Sequence, residues 1–176
     1  TQTVKVQILL NGRGVVLADA AQLEDKPCAS PYNLLENGNF EETVFTTEGG
    51  WFPVTTQAYT DEVAFNGDHS MKMSGILNMD GFVSQNVDVR ASRSTRETFT
   101  LSGWAKGYGL PNHERENVIH APQFCLRAEI HYDDNEEDKV ETYTADFSPC
   151  TEEWQYASVE FSKSKCRKVK FLRVYC

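Results

Sequence analysis

Residues able to carry out acid–base or nucleophilic chemistry occur in this 176-residue chain, but their spacing keeps them apart. Cys125 and His131 alternate onto one face of an extended segment, yet the intervening strand, at about 3.3 Å per residue, separates them by roughly 20 Å. The adjacent glutamates at 41–42 and 152–153 point to opposite faces of an extended chain, so neither pair can act on one bond. The chain has no nucleophile-elbow, P-loop, zinc-protease or dinucleotide-binding motif. The sequence therefore predicts that the protein is not an enzyme.

Other residues are of the types that hold a sugar. The alternation in 98–107 places Trp104 on the polar face of its strand, and the alternation in 123–132 places Arg127 and His131 on the polar face of another. Aromatic rings can pack against the C–H faces of a sugar, while charged groups hydrogen-bond to its hydroxyls. Such faces are typical of a sugar-binding surface, and equally of a solvated outer sheet.

A run of five carboxylates, DDNEED at 133–138, is the densest acidic segment. It lacks the glycine and the twelfth-position glutamate that an EF-hand calcium loop requires. We expect a solvated hairpin loop between two strands.

The elements that must position these residues are strands. Alternation of period two and a high content of Val, Thr, Phe and Tyr run through most of the chain, and no stretch favours a substantial helix. The sequence predicts an all-β fold, a sandwich or a barrel. Strands are expected near 3–10, 15–23, 70–74, 82–89, 98–107, 123–132, 140–147, 154–161 and 168–175.

Composition excludes several classes of partner. The net charge of −9 opposes binding to phosphate backbones, so no nucleic acid is expected. With 40% hydrophobic residues the chain is globular, and its apolar runs are too short to span a bilayer, so no membrane insertion is expected. The five cysteines have no zinc spacing and are interpreted as small buried or half-buried side chains, with one disulfide as the alternative.

Several motifs together carry a family resemblance. They are NLLENGNFEE at 33–42, Trp51, NGDHSMKMSG at 66–75, VSQNVDV at 83–89, TFTLSGWAKG at 98–107 and TEEWQYASVEFSKSK at 151–165. The chain resembles the galactose-binding-like β-jelly-roll modules related to carbohydrate-binding modules of families four, nine and twenty-two. The motifs are most similar to those of tandem modules in bacterial cell-surface proteins with RHS or wall-associated repeats. The resemblance implies a β-sandwich jelly roll on the extracellular side or at the bacterial cell surface.

The order of the motifs departs from that family. The stretch VVLADAAQLE at 15–24 carries a pattern that such modules have at their end, and TVKVQILL at 3–10 reads as a counterpart of KVKFLRVY at 168–175. Residues 1–27 therefore resemble the end of a module, and residues 28–176 a module without its end. The first segment could complete this same sheet, or it could complete a neighbour in a tandem array or in a separate chain.

Related modules hold a structural Ca²⁺ near their start. Carried over residue by residue, the resemblance nominates Glu41, Asp19 and the loop at Asn66 and Asp68 as ligands. Calcium takes six to eight hard oxygens, which carboxylates and carbonyls can supply. The alternative is that Glu41 is an ordinary surface residue.

The resemblance also implies where a glycan would bind. Clefts in related modules are lined by aromatic, amide and charged groups, and the corresponding candidates here are Trp104, Tyr108, Gln85, Arg127 and His131. The alternative is a solvated sheet face or a contact between modules. Trp51 and Trp154 stand at framework positions, so both are predicted to pack in the core.

A basic cluster at 163–173 holds six of the 17 lysines and arginines. It could contact an acidic face of another copy, or it could protect a strand edge by charge. Two functions remain open from the sequence. One is a non-catalytic extracellular carbohydrate-binding or adhesion module. The other is a structural module or polymer subunit that assembles by strand complementation with neighbouring modules or copies of itself.

Overall fold

The computed structural model describes residues 2–25, 33–42, 50–53, 57–60, 62–76, 80–89, 98–110, 123–132, 140–162 and 169–175. Within these ranges the chain forms strands and turns. The strands are β1 (Gln2–Asn11), β2 (Gly14–Glu24), β3 (Phe52–Pro53), β4 (Gln57–Thr60), β5 (Ser70–Gly75), β6 (Asp80–Val89), β7 (Thr98–Tyr108), β8 (Phe124–Tyr132), β9 (Val140–Asp146), β10 (Gln155–Ser162) and β11 (Val169–Tyr175).

The strands form two antiparallel sheets. The six-stranded sheet has the order β1-β6-β11-β8-β9, with β3 added to β6 and a further pairing of β1 with β8. The five-stranded sheet has the order β10-β7-β2-β5-β4. The two sheets bury a common core, so the predicted all-β class and its β-sandwich architecture are confirmed. The short strands β3 and β4 are additions that the alternation did not reveal.

The core lies between the sheets. Ile8 and Leu126 enter it from the six-stranded sheet, and Val16, Met71 and Leu101 enter it from the five-stranded sheet. Each of these positions alternates with an outward residue on its own strand, as the period-two pattern predicts. Packing of these faces is what holds the two layers together.

Trp51 is part of that core, as predicted. Its side chain is 2% exposed, its ring lies 5.2 Å from that of Phe40, and its Nε1 donates to the carbonyl oxygen of Asn37 at 3.1 Å. Trp154 differs from the prediction, because it is half-buried and lies outside the core cluster. Its ring instead contacts Phe65 on the outer surface of the five-stranded sheet.

The first strands of the chain contribute to both sheets. β1 lies in the six-stranded sheet, and β2 lies between β7 and β5 in the five-stranded sheet. The connection between them passes through Gly12 and Gly14, with φ of 111° and 131°. A Cβ at Gly14 would also lie 2.9 Å from the Tyr108 carbonyl oxygen, so this tight passage between layers requires glycine.

One strand position in the six-stranded sheet is reached by two segments. β1 pairs antiparallel with both β6 and β8, and β11 pairs antiparallel with both of them too. Val6 and Val174 have the same two partners, Gln85 and Ala128. We call the position between β6 and β8 the shared slot.

In the part of the chain that is described, no helix has the length and apolar character needed to cross a lipid bilayer. Cys125 is buried and Cys150 exposed, and both are free thiols. Burial raises the pKa of Cys125 to about 12, which keeps it protonated and unreactive. The other three cysteines, the acidic run at 133–138 and residues 163–168 of the basic cluster lie outside the described residues.

Candidate functional site

Trp104 lies on the outer face of the five-stranded sheet. Along β7 the residues Leu101 and Ala105 are buried against the core, while Trp104 and Lys106 point outward and are half-buried. This agrees with the predicted polar-face position of Trp104. Its cross-strand partners are Tyr156 on β10 and Asp19 on β2.

Four aromatic rings gather at this position. The ring of Phe65 stacks on Trp104 with centroids 3.9 Å apart and planes 14° apart. Tyr156 lies 5.4 Å from Trp104, and Trp154 meets Phe65 edge-on at 5.8 Å. Phe65 is 41% exposed and Tyr156 56% exposed. We call Phe65, Trp104, Trp154 and Tyr156 the aromatic platform.

Asp19 positions the loop that carries Phe65. Its Oδ2 accepts hydrogen bonds from the backbone N–H groups of Phe65 at 2.8 Å and Asn66 at 2.9 Å, and its Oδ1 accepts one from Ala20 at 2.6 Å. The local backbone makes this possible. Ala20 has a φ of 47°, and the pairing of β2 with β7 shifts register between Asp19 and Gln22, so the chain bulges there. The bulge brings the carboxylate beneath the loop.

The Asp19 carboxylate is only 1% exposed. Its burial raises the pKa above the ordinary value of 3.8, while the three backbone hydrogen bonds act in the opposite direction. Asp19 is therefore a buried acid whose charge is compensated by amide dipoles. Its role in the structure is to hold the platform loop.

Glu41 holds the next part of the same loop. Its carboxylate accepts from the backbone N–H groups of Asp68 at 3.1 Å and His69 at 3.2 Å, and it lies 3.2 Å from His69 Nδ1. The hydrogen bond with the His69 side chain lowers the pKa of Glu41. Gly67 lies between these amides with a φ of 79°, and a Cβ there would collide with the Glu41 carboxylate. The positive φ and the close approach of Glu41 both favour glycine at this position.

The four residues nominated for calcium thus come together at one loop. Their chemistry differs from a calcium site, however, because the oxygens of Asp19 and Glu41 accept N–H groups whose positive ends occupy the space a cation would need. Among the described residues, no group of three or more His, Cys, Asp or Glu side chains is arranged to hold a metal. In this conformation the donor set therefore does not fit Ca²⁺.

The NLLENGNFEE motif has a structural role. The side chain of Asn33 accepts from the backbone N–H groups of Leu23 and Leu35 and donates to the Ala21 carbonyl oxygen at 2.8 Å. The segment is thereby fastened to the end of β2. A further contact comes from Gln85, whose amide exchanges two hydrogen bonds with the backbone of Glu36, at 2.8 and 2.9 Å.

Gln85 was predicted as a glycan contact, and the structure gives it a different place. Its side chain is 1% exposed and both ends of its amide are used by Glu36. The residue faces the core side of β6, because its register partner Val6 is a core residue. Gln85 therefore positions a loop and does not line a cleft.

Arg127 and His131 lie in the other sheet from Trp104 and Tyr108. Both are on β8, where Arg127 Nη2 lies 2.9 Å from one oxygen of Glu129 and His131 Nε2 lies 3.1 Å from the other. They face outward on the six-stranded sheet, so the thickness of the sandwich separates them from Trp104. The expectation of one cleft containing all these residues is wrong, because strand parity gives the face of a residue but not its sheet.

Tyr108 does share the face of Trp104. Lys106 Nζ lies 5.3 Å from the centre of the Tyr108 ring, and interaction with this side chain raises the pKa of Lys106. The nearby carboxylates Glu152 and Glu153 also favour the charged form of Lys106. Charged side chains therefore stand at the border of the platform.

Three platform residues were not among the predicted contacts. The alternation in β10 places Tyr156 with Ser158 and Glu160 on an exposed face, and this pattern could have revealed it. Phe65 lies in a loop without periodicity, and its position depends on Asp19.

Comparison of the chain with protein-family models, with curated proteins and with solved structures found no match.

Proposed function

We propose that this protein is a non-catalytic carbohydrate-binding module that holds a glycan on the aromatic platform. The observation that carries the proposal is the pair of exposed rings, Phe65 and Tyr156, at 41% and 56% exposure above a stacked Trp104. Apolar groups that stay exposed together on a folded surface commonly mark an interaction site. The motif resemblance to carbohydrate-binding jelly-roll modules supports the same class.

The combination of exposed rings and nearby charged groups favours a sugar over a purely apolar ligand. A pyranose ring is flat enough to stack on an aromatic face, and its hydroxyl groups need hydrogen-bond partners around that face. Phe65 covers one face of Trp104, so the sugar would stack on Phe65 and Tyr156. Lys106, Glu152 and Glu153 would supply the polar contacts.

Charge favours a neutral glycan. The chain carries a net charge of −9, and two carboxylates stand close to Lys106 at the edge of the platform. An acidic polysaccharide would meet repulsion from both. A location outside the cell or at a bacterial cell surface, where such glycans occur, is part of the proposal.

The test is binding to a panel of neutral cello-, xylo-, manno- and galacto-oligosaccharides. Tryptophan fluorescence is the readout, because Trp104 and Trp154 both belong to the platform. For the oligosaccharide that binds, Phe65→Ala and Tyr156→Ala should each weaken affinity by roughly 5- to 10-fold, since one aromatic contact contributes about 1 kcal/mol.

The matched control is Phe52→Ala. Phe52 is 38% exposed, close to the exposure of Phe65, but it lies in the six-stranded sheet on β3. This variant should bind like the unchanged protein. Absence of binding across the panel, or an equal loss in Phe52→Ala, would contradict the proposal.

A further inference from the structure

The shared slot has two candidate occupants in one register. Lys5 and Arg173 both pair with Asn86 and Glu129, and the next residues, Val6 and Val174, both pair with Gln85 and Ala128. A β-strand has two hydrogen-bonding edges, and a place between two strands admits one strand. β1 and β11 are therefore alternative occupants of the slot.

The two strands present equivalent residues to their neighbours. Val4 and Leu172 both pair with Val87, so the register aligns Val-Lys-Val at 4–6 with Leu-Arg-Val at 172–174. Apolar, basic and apolar residues coincide in the same order. The Val-Lys pair that the two stretches have in common in sequence, at 4–5 and 169–170, is three residues out of this register. Because the apolar and basic residues of the two strands coincide in register, one strand can replace the other.

β1 brings a polar residue into the shared slot. The Gln7 side chain is 1% exposed, and within the described ranges neither its amide nitrogen nor its amide oxygen has a hydrogen-bond partner. Its register partner Ser84 is also buried, and its hydroxyl likewise has no partner among the residues that the structure describes. Buried polar groups without partners disfavour the arrangement that contains them. At this position β11 has Tyr175 instead.

The connection to β2 lets β1 leave the slot by itself. β1 and β2 lie in different sheets, and the passage between them contains two glycines with positive φ. β2 can keep its place between β7 and β5 while β1 moves away. The slot need not become empty during this change, because an incoming strand can replace β1 pair by pair.

A strand outside the slot has an unpaired edge, which a second chain can pair with. The basic cluster at 163–173 carries six positive charges, two of them on β11, so the rest of the chain has a net charge of −15. A basic strand is attracted to the acidic remainder of another copy. We infer that the shared slot is a strand-exchange site, at which β11 from a second copy of this chain replaces β1. This inference goes beyond glycan binding and does not depend on it.

The test is disulfide trapping between two full-length chains. Asn86 is exposed and is the register partner of Arg173. One chain carries Asn86→Cys and the other carries Arg173→Cys, so only exchange between chains can join these two cysteines. Peptide mass spectrometry after mild oxidation identifies the crosslink without removal of the native cysteines.

The matched control is Lys170→Cys in place of Arg173→Cys. It lies three residues out of register, about 10 Å along the strand, which is too far for a disulfide. The Arg173→Cys chain should form at least about fivefold more crosslink than this control, because only in-register Cα atoms come within disulfide reach. The yield should rise with protein concentration and fall with added salt.

A single chain that carries both Lys5→Cys and Asn86→Cys reports the state with β1 in the slot. In-register crosslinking between chains at Arg173 supports the exchange. If only the Lys5 pair crosslinks, β1 is the sole occupant and the inference is overturned. If the Arg173 and Asn86 cysteines join when placed in one chain but never between two chains, the second copy is excluded and the inference is overturned as well.

Discussion

The two outer faces of the sandwich differ in the hydrogen bonding of their buried polar side chains. On the five-stranded sheet, the buried carboxylate of Asp19 accepts three backbone N–H groups, and the loop that supplies two of them also supplies Phe65. On the six-stranded sheet, the amide of Gln7 and the hydroxyl of Ser84 are buried and have no hydrogen-bond partner in the described part of the chain. The hydrogen bonds of Asp19 are all made within one chain. In the six-stranded sheet, by contrast, β1 and β11 pair with the same residues of β6 and β8.

This difference indicates separate roles for the two faces. A face whose buried polar groups are paired can hold rigid side chains in position for a ligand. Where buried polar groups have no partners and two strands fit the same slot, the arrangement with β1 in the slot is only weakly stabilised over the one with β11. The proposed ligand binding therefore lies on the five-stranded sheet, and the proposed strand exchange on the six-stranded sheet. The variants below test that assignment, from the largest expected effect to the smallest.

Asp19→Asn should be strongly destabilising. The side-chain NH₂ group would face either the Ala20 N–H or the two loop N–H groups, so at least one buried donor loses its acceptor. The free energy of unfolding should fall by about 2 kcal/mol, measured by urea denaturation. Asp25→Asn, at an exposed position just after β2, is the control and should leave stability unchanged. Equal stability of both variants would show that the carboxylate does not hold the loop.

Gln7→Met should raise the free energy of unfolding, in contrast to Asp19→Asn. Methionine has a similar length and removes two buried polar atoms that have no partner among the described residues, so the free energy of unfolding should rise by about 1 kcal/mol. The same change favours β1 in the shared slot, and it should reduce the crosslink between Asn86→Cys and Arg173→Cys chains. Ser84→Ala, which also removes an unpaired polar group, is a second variant. Destabilisation by both substitutions would mean that these polar atoms do have partners.

Glu41→Gln should change how stability depends on pH. The partnership with His69 lowers the pKa of Glu41, so its stabilising contribution is present above the ordinary value of 4.5 and is lost as pH falls through the lowered value. Asp19 acts oppositely. Its raised pKa makes its contribution largest below 3.8, and this contribution declines as pH rises through the raised value.

The measurement is urea unfolding between about pH 3 and pH 6, which covers ordinary carboxylate titration. Acidification should destabilise the unchanged protein more steeply than Glu41→Gln. The exposed neighbour Glu42→Gln is the control and should retain the steep acid limb. Identical pH profiles for all three proteins would exclude Glu41 as a contributor to this limb.

Added calcium should have the smallest effect. The carboxylate oxygens at the platform loop already accept N–H groups, so millimolar CaCl₂ should leave the melting temperature within about 1 °C of its value in EDTA. MgCl₂ at the same concentration controls for ionic strength. A calcium-specific rise that disappears in Asp19→Asn would instead show that the loop amides give way to the ion.

Much of the fold could be predicted because it depends on alternation along single strands. The outward position of Trp104 and the inward positions of Leu101 and Ala105 follow from period two alone. The candidate site was less predictable, since Arg127 and Trp104 have the same kind of pattern but belong to different sheets. Phe65 could not be predicted, because its place is set by Asp19, 46 residues away in sequence.

The amino-acid sequence by itself determined the all-β class, the inward and outward faces of β7 and β8, and a net charge of −9. These properties are local or compositional, so they need no knowledge of which strands are neighbours. Tertiary structure alone decided that Asp19 and Glu41 hold the platform loop, and that β1 and β11 have the same partners in the same register. Such pairings join residues far apart in the chain, and only the packing of the two sheets selects among them.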